Sequence, residues 1–410
     1  MSVASKKPQY LFIHPSRIVE TVQKQADVVP VQQFKVLFPI WDVQIIGNQR
    51  EGQDYGLLER FIERGIGQGG LRSAKDLTKF FQIPENMLEK MLTYLRNVRH
   101  LEDGPNDSLL LTPLGQDSIR DEVFYTNLET HRTLYFEGYG SQPLLREHYD
   151  LTFLTEADSS RSKEYFHRLF TEDNQYMRQE QVFWLAQQPD RATKYNLPDE
   201  IKISSVSAIN RIYLPISIIE ARQYASGNKR AQTQFTTRYL VMSHIRDWHD
   251  TFLEEIVNRE PAIANQLREH AEQPVDIKKK LADRENKLGA EASLEQAENG
   301  IWQVLIDADV FNEAKPRWSL SDLGNFRLER GYFLQIWCHD EDIRRKAALE
   351  QTLTFVERQI KGQRRVFRAD ITRILERNAT ALHIEQWSWA LFETYVKEQD
   401  REEIFEEIAD

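Results

Sequence analysis

Residues 64–81 read RGIGQGGLRSAKDLTKFF, with glycines at 65, 67, 69 and 70 ahead of an amphipathic stretch. Such a run suits either a phosphate-cradling loop or a joint between two helices, and the first would point to an enzyme. A nucleotide loop needs a strand before its glycines, so that the turn delivers the phosphate to a helix N-terminus. The preceding segment, DYGLLERFIER, places Leu57, Leu58, Phe61 and Ile62 at helical spacings. The glycines run G-x-G-x-G-G, not G-x-G-x-x-G, and no Gly-Lys-Ser/Thr closes a P-loop. The stretch reads as a helix-to-helix connector, with Gly65 placed to end the first helix in a left-handed cap.

The segment after the glycines has its own punctuation. Ser73 is set to cap a helix, with Asp76 three residues on in a variant capping box, and Ala74, Leu77, Phe80 and Phe81 form its apolar face. Gln82-Ile83-Pro84 makes a turn, and proline suits the first position of the next helix, whose stripe is Leu88, Met91, Leu92 and Leu95. Leu101, a turn-rich tip EDGPNDS and Leu109-Leu110-Leu111 predict a hairpin closed by Thr112-Pro113-Leu114-Gly115. The expected core is Leu57, Phe61, Leu77, Phe81, Leu88, Leu92 and Leu95. Three helices and a hairpin, carried by DLTKFFQIPENMLEKMLTYLRNVRHLEDGPNDSLLLTPLG (76–115), resemble the winged helix-turn-helix superfamily over about 54–115. The resemblance implies a module that binds DNA or joins proteins.

The close of that unit recurs. In LEQAENGIWQVLIDADVFNEAKPRWSLSDLG (294–324), Ile301, Val304 and Leu305 give a helical stripe, and a polar turn containing Pro316 comes next. Leu320-Ser321-Asp322-Leu323-Gly324 then parallels Leu111–Gly115. A second helix and wing are expected here. Elsewhere, QFKVLFPIWDVQII alternates through Phe34, Val36, Phe38 and Ile40 and predicts a strand broken near Pro39. RTLYFEGYG (132–140), IKISSVSAI, RIYLPISIIEA and TQFTTRYLVMS predict antiparallel strands, the last three consecutive and separated by short polar or Gly227-Asn228 breaks. SRSKEYFHRLFTEDNQYMRQEQVFWLA predicts a helix, as do residues from 244 (Ile245, Trp248, Phe252, Ile256), two or three segments within 340–410, and the acidic tail EQDREEIFEEIAD. The expected fold is α+β and mostly helical: an N-terminal strand plus winged helix (1–120), a central antiparallel-sheet domain (121–243), a helical, winged-helix-like region (244–338) and C-terminal helices (339–410).

Composition narrows the function. With 410 residues, 40% hydrophobic and 29% charged, the chain has the profile of a soluble globular protein. No apolar run approaches the ~18–20 residues of a membrane span, and the start lacks a signal-peptide stretch, so a cytoplasmic location is expected. The one cysteine, Cys338, excludes an internal disulfide and a multi-cysteine zinc site. The net charge of −11 confines any nucleic-acid contact to a local patch.

Two basic stretches qualify. Residues 358–377 hold seven Lys/Arg against two acids, with Arg364, Arg365 and Arg368 surrounded by Arg358, Lys361, Arg373 and Arg377 in an arginine-rich helix. The first unit carries Arg60, Arg64, Arg72, Lys75, Lys79, Lys90, Arg96 and Arg99, but its third helix opens with Glu85 and Glu89, which repel phosphate. Cys338-His339-Asp340-Glu341-Asp342 reads as the first turn of a helix rather than a metal site, because contiguous side chains diverge. His244, Asp247 and His249 lie on an expected helix without an H-E-x-x-H arrangement. No catalytic residue, metal ligand or cofactor motif is assigned. The expected function is non-enzymatic binding of double-stranded DNA. Alternatives are a docking subunit of a bacterial multi-protein assembly, such as a phage-defence complex, with protein partners or self-association, and a metal-dependent nuclease built from dispersed acids.

Overall fold

A computed structural model describes residues 11–25, 28–160, 166–170, 176–224, 235–272, 276–282, 292–297, 300–312 and 318–409. Helix α1 (Pro15–Gln23) leads into β1 (Val28–Gln53). Next along the chain are α2 (Leu57–Gly67), α3 (Ala74–Phe81), α4 (Glu85–Asn97), the hairpin β2 (Leu101–Asp103) and β3 (Leu109–Leu111), α5 (Pro113–Asp121) and β4 (Phe124–Glu137). Then come α6 (Glu156–Ser160), β5 (His167–Arg168), α7 (Glu180–Ala186), α8 (Arg191–Lys194), β6 (Ile201–Tyr224) and β7 (Phe235–Met242). Helices α9 (Thr251–Arg259), α10 (Pro261–Glu269) and α11 (276–282) precede β8 (Ala292–Gln296), β9 (Trp302–Ile306), β10 (Phe326–Glu329) and β11 (Tyr332–Trp337). The chain closes with α12 (Glu341–Lys361), β12 (Val366–Phe367), α13 (Arg368–Ala381), α14 (Trp389–Glu398) and β13 (Ile408–Ala409). The protein is α+β, with mixed strand pairing. Among the described residues no helix is long and apolar enough to cross a membrane.

The chain divides into two units, and β1 and β6 each carry residues of both. One unit comprises Met1–Phe38, Leu151–Phe170 and Tyr213–Asp410. Its strands run in the order β7-β6-β1-β11-β9-β8, with β10 on β11 and β5 on β1. Strand β9 runs parallel to β11, whereas β10 and β11 form a hairpin whose turn residues Arg330 and Gly331 both take positive φ, as a two-residue type I′ turn requires. Trp302, Val304, Ile306, Leu334 and Ile336 pack in one cluster with Ala347, Ala348 and Ala379 of α12 and α13, where small side chains let the helices approach. Leu353, Val356, Ile371, Leu375, Phe392 and Val396 join α12, α13 and α14 in a further core.

The other unit comprises Pro39–Asp150 and Thr171–Ile212. Strands β1 and β4 pair antiparallel from Ile40↔Glu137 to Gln53↔Phe124. Trp41, Val43, Ile45, Leu134 and Phe136 pack with Val182, Leu185 and Leu197. Helices α2–α4, the β2/β3 hairpin and α5 make a separate core of Ile62, Ile66, Leu77, Leu88, Leu92, Leu95, Leu101, Leu109, Leu111 and Ile119. The expected order of three helices and a hairpin is present. Ser73 caps α3 by accepting from the Asp76 amide, and Thr112 caps α5 by accepting from Gly115.

Several expectations are corrected. Leu57 and Phe61 are exposed rather than buried, because α2 turns Ile62 and Ile66 inward. The helix runs on through Gly65, and the left-handed residue is Gly70, at φ 69°. Strand β1 continues through Pro39, whose fixed φ extended backbone tolerates. IKISSVSAI and RIYLPISIIEA are one strand, β6, since Asn210 adopts extended backbone and no turn comes after it. Residues 294–296 and 302–306 lie in strands β8 and β9 rather than in a helix, so the helix of the expected second copy is not formed among the described residues. In Ile301–Ile306 a period-two set, Trp302, Val304 and Ile306, competes with the helical stripe and wins on β-branched and aromatic content.

Residues 244–250 are not helical, because Trp248 takes φ 64° and Asp250 caps α9 from outside. The long helix expected over 160–186 reduces to α7 plus the strand pair His167–Arg168. Its residues 161–165 and 171–175 lie outside the described residues, as do Gly227-Asn228 and the turn at Pro316. The three C-terminal helices are present, while the acidic tail forms a 3-10 turn (Glu402–Glu407) and then β13. Replacing fully packed Leu92 by alanine is expected to cost about 2–5 kcal/mol, against less than ~0.5 kcal/mol for exposed Leu57→Ala, measured by urea unfolding.

Candidate functional site

The glycine run is explained by backbone packing. The amides of Gln68 and Gly69 donate to the Arg64 carbonyl, at 2.8 and 3.0 Å, and that of Leu71 to the Gly65 carbonyl at 2.9 Å. These donors finish α2 and are not free to hold a phosphate. A Cβ at Gly69 would lie 2.8 Å from the Gly65 carbonyl oxygen, so the close turn itself demands glycine.

Behind the loop lies a polar network with no short-range sequence signal. Glu63 of α2 and His100, which precedes β2, are both fully buried, and His100 Nδ1 lies 2.6 Å from Glu63 Oε1. His100 Nε2 faces the Tyr125 carbonyl, and the Tyr55 hydroxyl donates to Glu63 Oε2. A carbonyl only accepts, so Nε2 carries a proton. Nδ1 and Glu63 then share one more, as glutamic acid with neutral imidazole or as carboxylate with imidazolium. Burial raises the Glu63 pKa, with the His100 contact opposing it. The pair ties α2 to the segment before the hairpin and to β4, and both side chains are fully buried.

Three of the eight basic candidates of this module are committed. Arg60 and Arg64 both bind Glu122 at 2.6 Å, and Arg96 binds Asp103 at 2.7 Å. Arg99 is exposed, at positive φ. Lys75, Lys79 and Lys90 are exposed and make no ion pair among the described residues, but Lys90 adjoins exposed Glu89 on α4. The exposed face is also apolar: Leu57 is 71% exposed, Phe61 53% and Phe80 68%.

The arginine-rich stretch is not one helix. Helix α12 ends at Lys361, Gly362 to Arg365 turn, Val366–Phe367 form β12, and α13 begins at Arg368. This junction brings Arg364, Arg365 and Arg368 to the surface beside exposed Phe367, and none of the three forms an ion pair among the described residues. The Arg368 guanidinium sits over the Trp389 ring, 4.6 Å from its centroid. Lys361 pairs with Glu357 at 3.7 Å and Arg373 with Asp370 at 2.9 Å, whereas Arg358 and Arg377 are exposed. Strand β12 pairs in parallel with β13 of the acidic tail, Val366↔Ile408 and Phe367↔Ala409.

As expected, Asp340 opens α12: its side chain accepts from the amides of Asp342 and Ile343, and Cys338 is buried with its thiol pKa raised by burial. Among the described residues no group of three or more His, Cys, Asp or Glu is placed to hold a metal ion.

Two further polar clusters were not read from the sequence, although His249 of the first was among the residues expected on a helix. Arg238 and His249 both contact Glu254, beside an open cavity of about 610 Å³ lined by Gln223, Asn258 and Arg259 among others. Burial opposes the Glu254 charge, but hydrogen bonds from His249 and Arg238 outweigh it and lower the pKa. His167 and His270 stack at 3.9 Å near Glu272, which accepts from Lys280 and from the Tyr332 hydroxyl, both at 2.9 Å. Burial and the neighbouring cations lower the His167 pKa.

No protein-family model matches the chain, and neither the curated proteins nor the solved structures contain a match. The buried pair yields a pH test. An acid with a raised folded pKa stabilises the fold below its unfolded pKa and loses that contribution as pH rises through the folded value. Glu63→Gln keeps a donor toward His100 and cannot ionise. The wild-type urea midpoint is therefore expected to fall relative to Glu63→Gln as pH rises above the ordinary carboxylate range, and parallel midpoints would remove the titration from the pair.

Proposed function

We propose that this chain is a non-enzymatic nucleic-acid-binding protein that holds double-stranded DNA mainly through its phosphates, at the junction of α12 and α13. The observation that carries this reading is the group Arg364, Arg365 and Arg368. These are three exposed guanidinium groups close together in the chain and free of ion pairs among the described residues, flanked by Lys361 and Arg373, which pair with Glu357 and Asp370. Guanidinium forks match phosphate oxygens bidentately, and exposed Phe367 offers a flat contact beside them. Such contacts fix position on a duplex without reading its sequence.

A second reading, a docking subunit of a bacterial multi-protein assembly of the phage-defence kind, is favoured by the helical module. Its order of three helices and a hairpin supports a winged helix. Yet α4, the helix that such a module would set into the major groove, exposes Glu85 and Glu89, and its neighbours α2 and α3 expose Leu57, Phe61 and Phe80. That surface suits protein better than phosphate. The nuclease reading has no observation in its favour.

Replacing Arg364, Arg365 and Arg368 together by glutamine tests the first reading. With folding verified by thermal melt, the salt dependence of duplex binding is expected to lose about 0.9 in slope per contact removed, and affinity to fall alike for all sequences. Unchanged affinity and slope remove the junction from the site. Absence of wild-type binding at physiological salt favours the docking subunit.

A further inference from the structure

We propose that the stacked imidazoles of His167 and His270 form a pH-sensitive latch, which holds β5 against the C-terminal end of α10 while at most one ring is protonated and releases it when both are. The two rings lie 3.9 Å apart, centroid to centroid, at an interplanar angle of 21°. His167 belongs to β5 and is half-buried; His270 comes just after the last turn of α10 and is exposed. Strand β5 is only two residues long and pairs in parallel with β1, Val36↔His167 and Leu37↔Arg168. Helix α10 grips the same segment twice. The Gln266 side chain accepts from the Phe170 amide at 2.8 Å and donates to the Phe170 carbonyl at 2.7 Å. The second grip is the imidazole stack. A side-chain amide does not titrate, so of the two grips only the stack responds to protons.

Charge sets the direction of the response. One imidazolium can rest on a neutral imidazole, but two at stacking distance repel with no room for water between them. Lys280 of α11 adds a further cation near His167, and Glu272 draws the other way. Burial opposes the Glu272 charge, but hydrogen bonds from Lys280 and from the Tyr332 hydroxyl of β11 outweigh it and keep the carboxylate ionised. Already paired with Lys280, Glu272 cannot neutralise two imidazolium rings as well. The other charges of the packed elements have their own places. Arg168 of β5 pairs with Glu156 at 2.8 Å and lies over the Tyr213 ring, and Lys35 of β1 lies over the Phe12 ring. Arg268 of α10 donates to the Ala264 carbonyl and Arg330 to the Lys280 carbonyl, while Glu269, Asp276, Lys278 and Lys279 are exposed. Burial, His270 and Lys280 together hold the His167 pKa below the ordinary histidine value of 6.5. A base with a depressed folded pKa contributes its stability above the unfolded value and loses it as pH falls through that value. The latch is therefore closed at neutral pH and opens on acidification. A shared metal ion does not explain the pair, because imidazole lone pairs lie in the ring plane and stacked rings do not aim them at one point.

The test follows hydrogen exchange of the full chain from about pH 7.5 to about pH 5.5, as protection relative to the intrinsic rate at each pH. Wild type is expected to lose about tenfold or more in protection at Leu169, whose amide donates to the Leu37 carbonyl, at Phe170 and along α10, while α3 and α4 keep theirs. His270→Phe keeps a flat ring against His167 and cannot charge, so its protection should hold across the range. His270→Lys sets a permanent cation there and should show the acid-state exchange already at the higher pH, confined to the same amides. In imidazole NMR spectra the His167 titration should move up in His270→Phe. His270→Gln, also neutral, repeats both comparisons if a thermal melt shows the phenylalanine variant folding poorly. An unmoved His167 titration, wild-type protection that ignores pH, or equal acid loss in His270→Phe overturns the proposal. So does loss spread evenly over α3 and α4, which assigns the acid effect to global unfolding. No nucleic acid enters the experiment, so its outcome is independent of the α12–α13 reading.

Discussion

Strand β1 is the element on which both units depend. Phe34, Val36, Leu37, Phe38 and Ile40 are each at most 2% exposed, so the strand is covered on both faces over this run. A strand so buried has no water for its amides and carbonyls and must find partners along both edges. In the first unit β6, β11 at Gln32 and β5 at Val36 and Leu37 supply them, and in the second β4 pairs along it from Ile40 to Gln53. Burial also dictates side-chain chemistry. Gln33 is admitted to the interior because its amide donates to the Ser217 hydroxyl at 2.8 Å. Gly138 approaches so closely that a Cβ would lie 2.7 Å from the Pro39 carbonyl oxygen.

Legibility of the sequence depends on how local each signal is. Helices α3 and α4 are readable because caps and stripes agree within a few residues, Ser73 with Asp76 and Leu88 with Leu92 and Leu95, whereas Thr112-Pro113, read as the close of the hairpin, in fact opens α5. Helix α2 is readable as a helix but not by face, because apolar residues at 57, 58, 61, 62 and 66 allow two stripes. Which stripe turns inward is set by Leu77 and Leu88, from other helices. Short apolar runs such as Ile301–Ile306 carry two periodicities at once, and tertiary pairing with β11 decides between them. The Glu63–His100 pair is out of reach, since 37 residues separate its members. The basic candidates stand out by composition alone, which gives no hint that Arg60, Arg64 and Arg96 are tied to acids.

That pairing explains how a chain at −11 keeps two distinct charged surfaces. In the helical module, acids at Asp103 and Glu122 absorb three arginines, while Lys75 and Lys79 of α3 form no ion pair among the described residues. At the α12–α13 junction the neighbouring acids Glu357 and Asp370 take Lys361 and Arg373, and the three arginines between them form no ion pair among the described residues, Arg368 resting over the Trp389 ring. Exposed pairs contribute little stability, about 0–1 kcal/mol each, so their larger effect here is on which cations remain for a partner.

The acidic tail sharpens this last point. It reaches the junction by backbone pairing of β13 with β12 and by Ile404 in the core, not through its glutamates. Exposed Glu402, Glu403, Glu406 and Glu407 form no ion pairs among the described residues, so they act on Arg364, Arg365 and Arg368 only through the local field. At physiological salt that field is screened over about 8 Å, which leaves short-range guanidinium contacts intact and weakens long-range steering. On the proposed reading the tail would oppose the approach of a polyanion more than its grip once seated, and the junction would take up such a partner slowly for its charge and hold it by contact geometry.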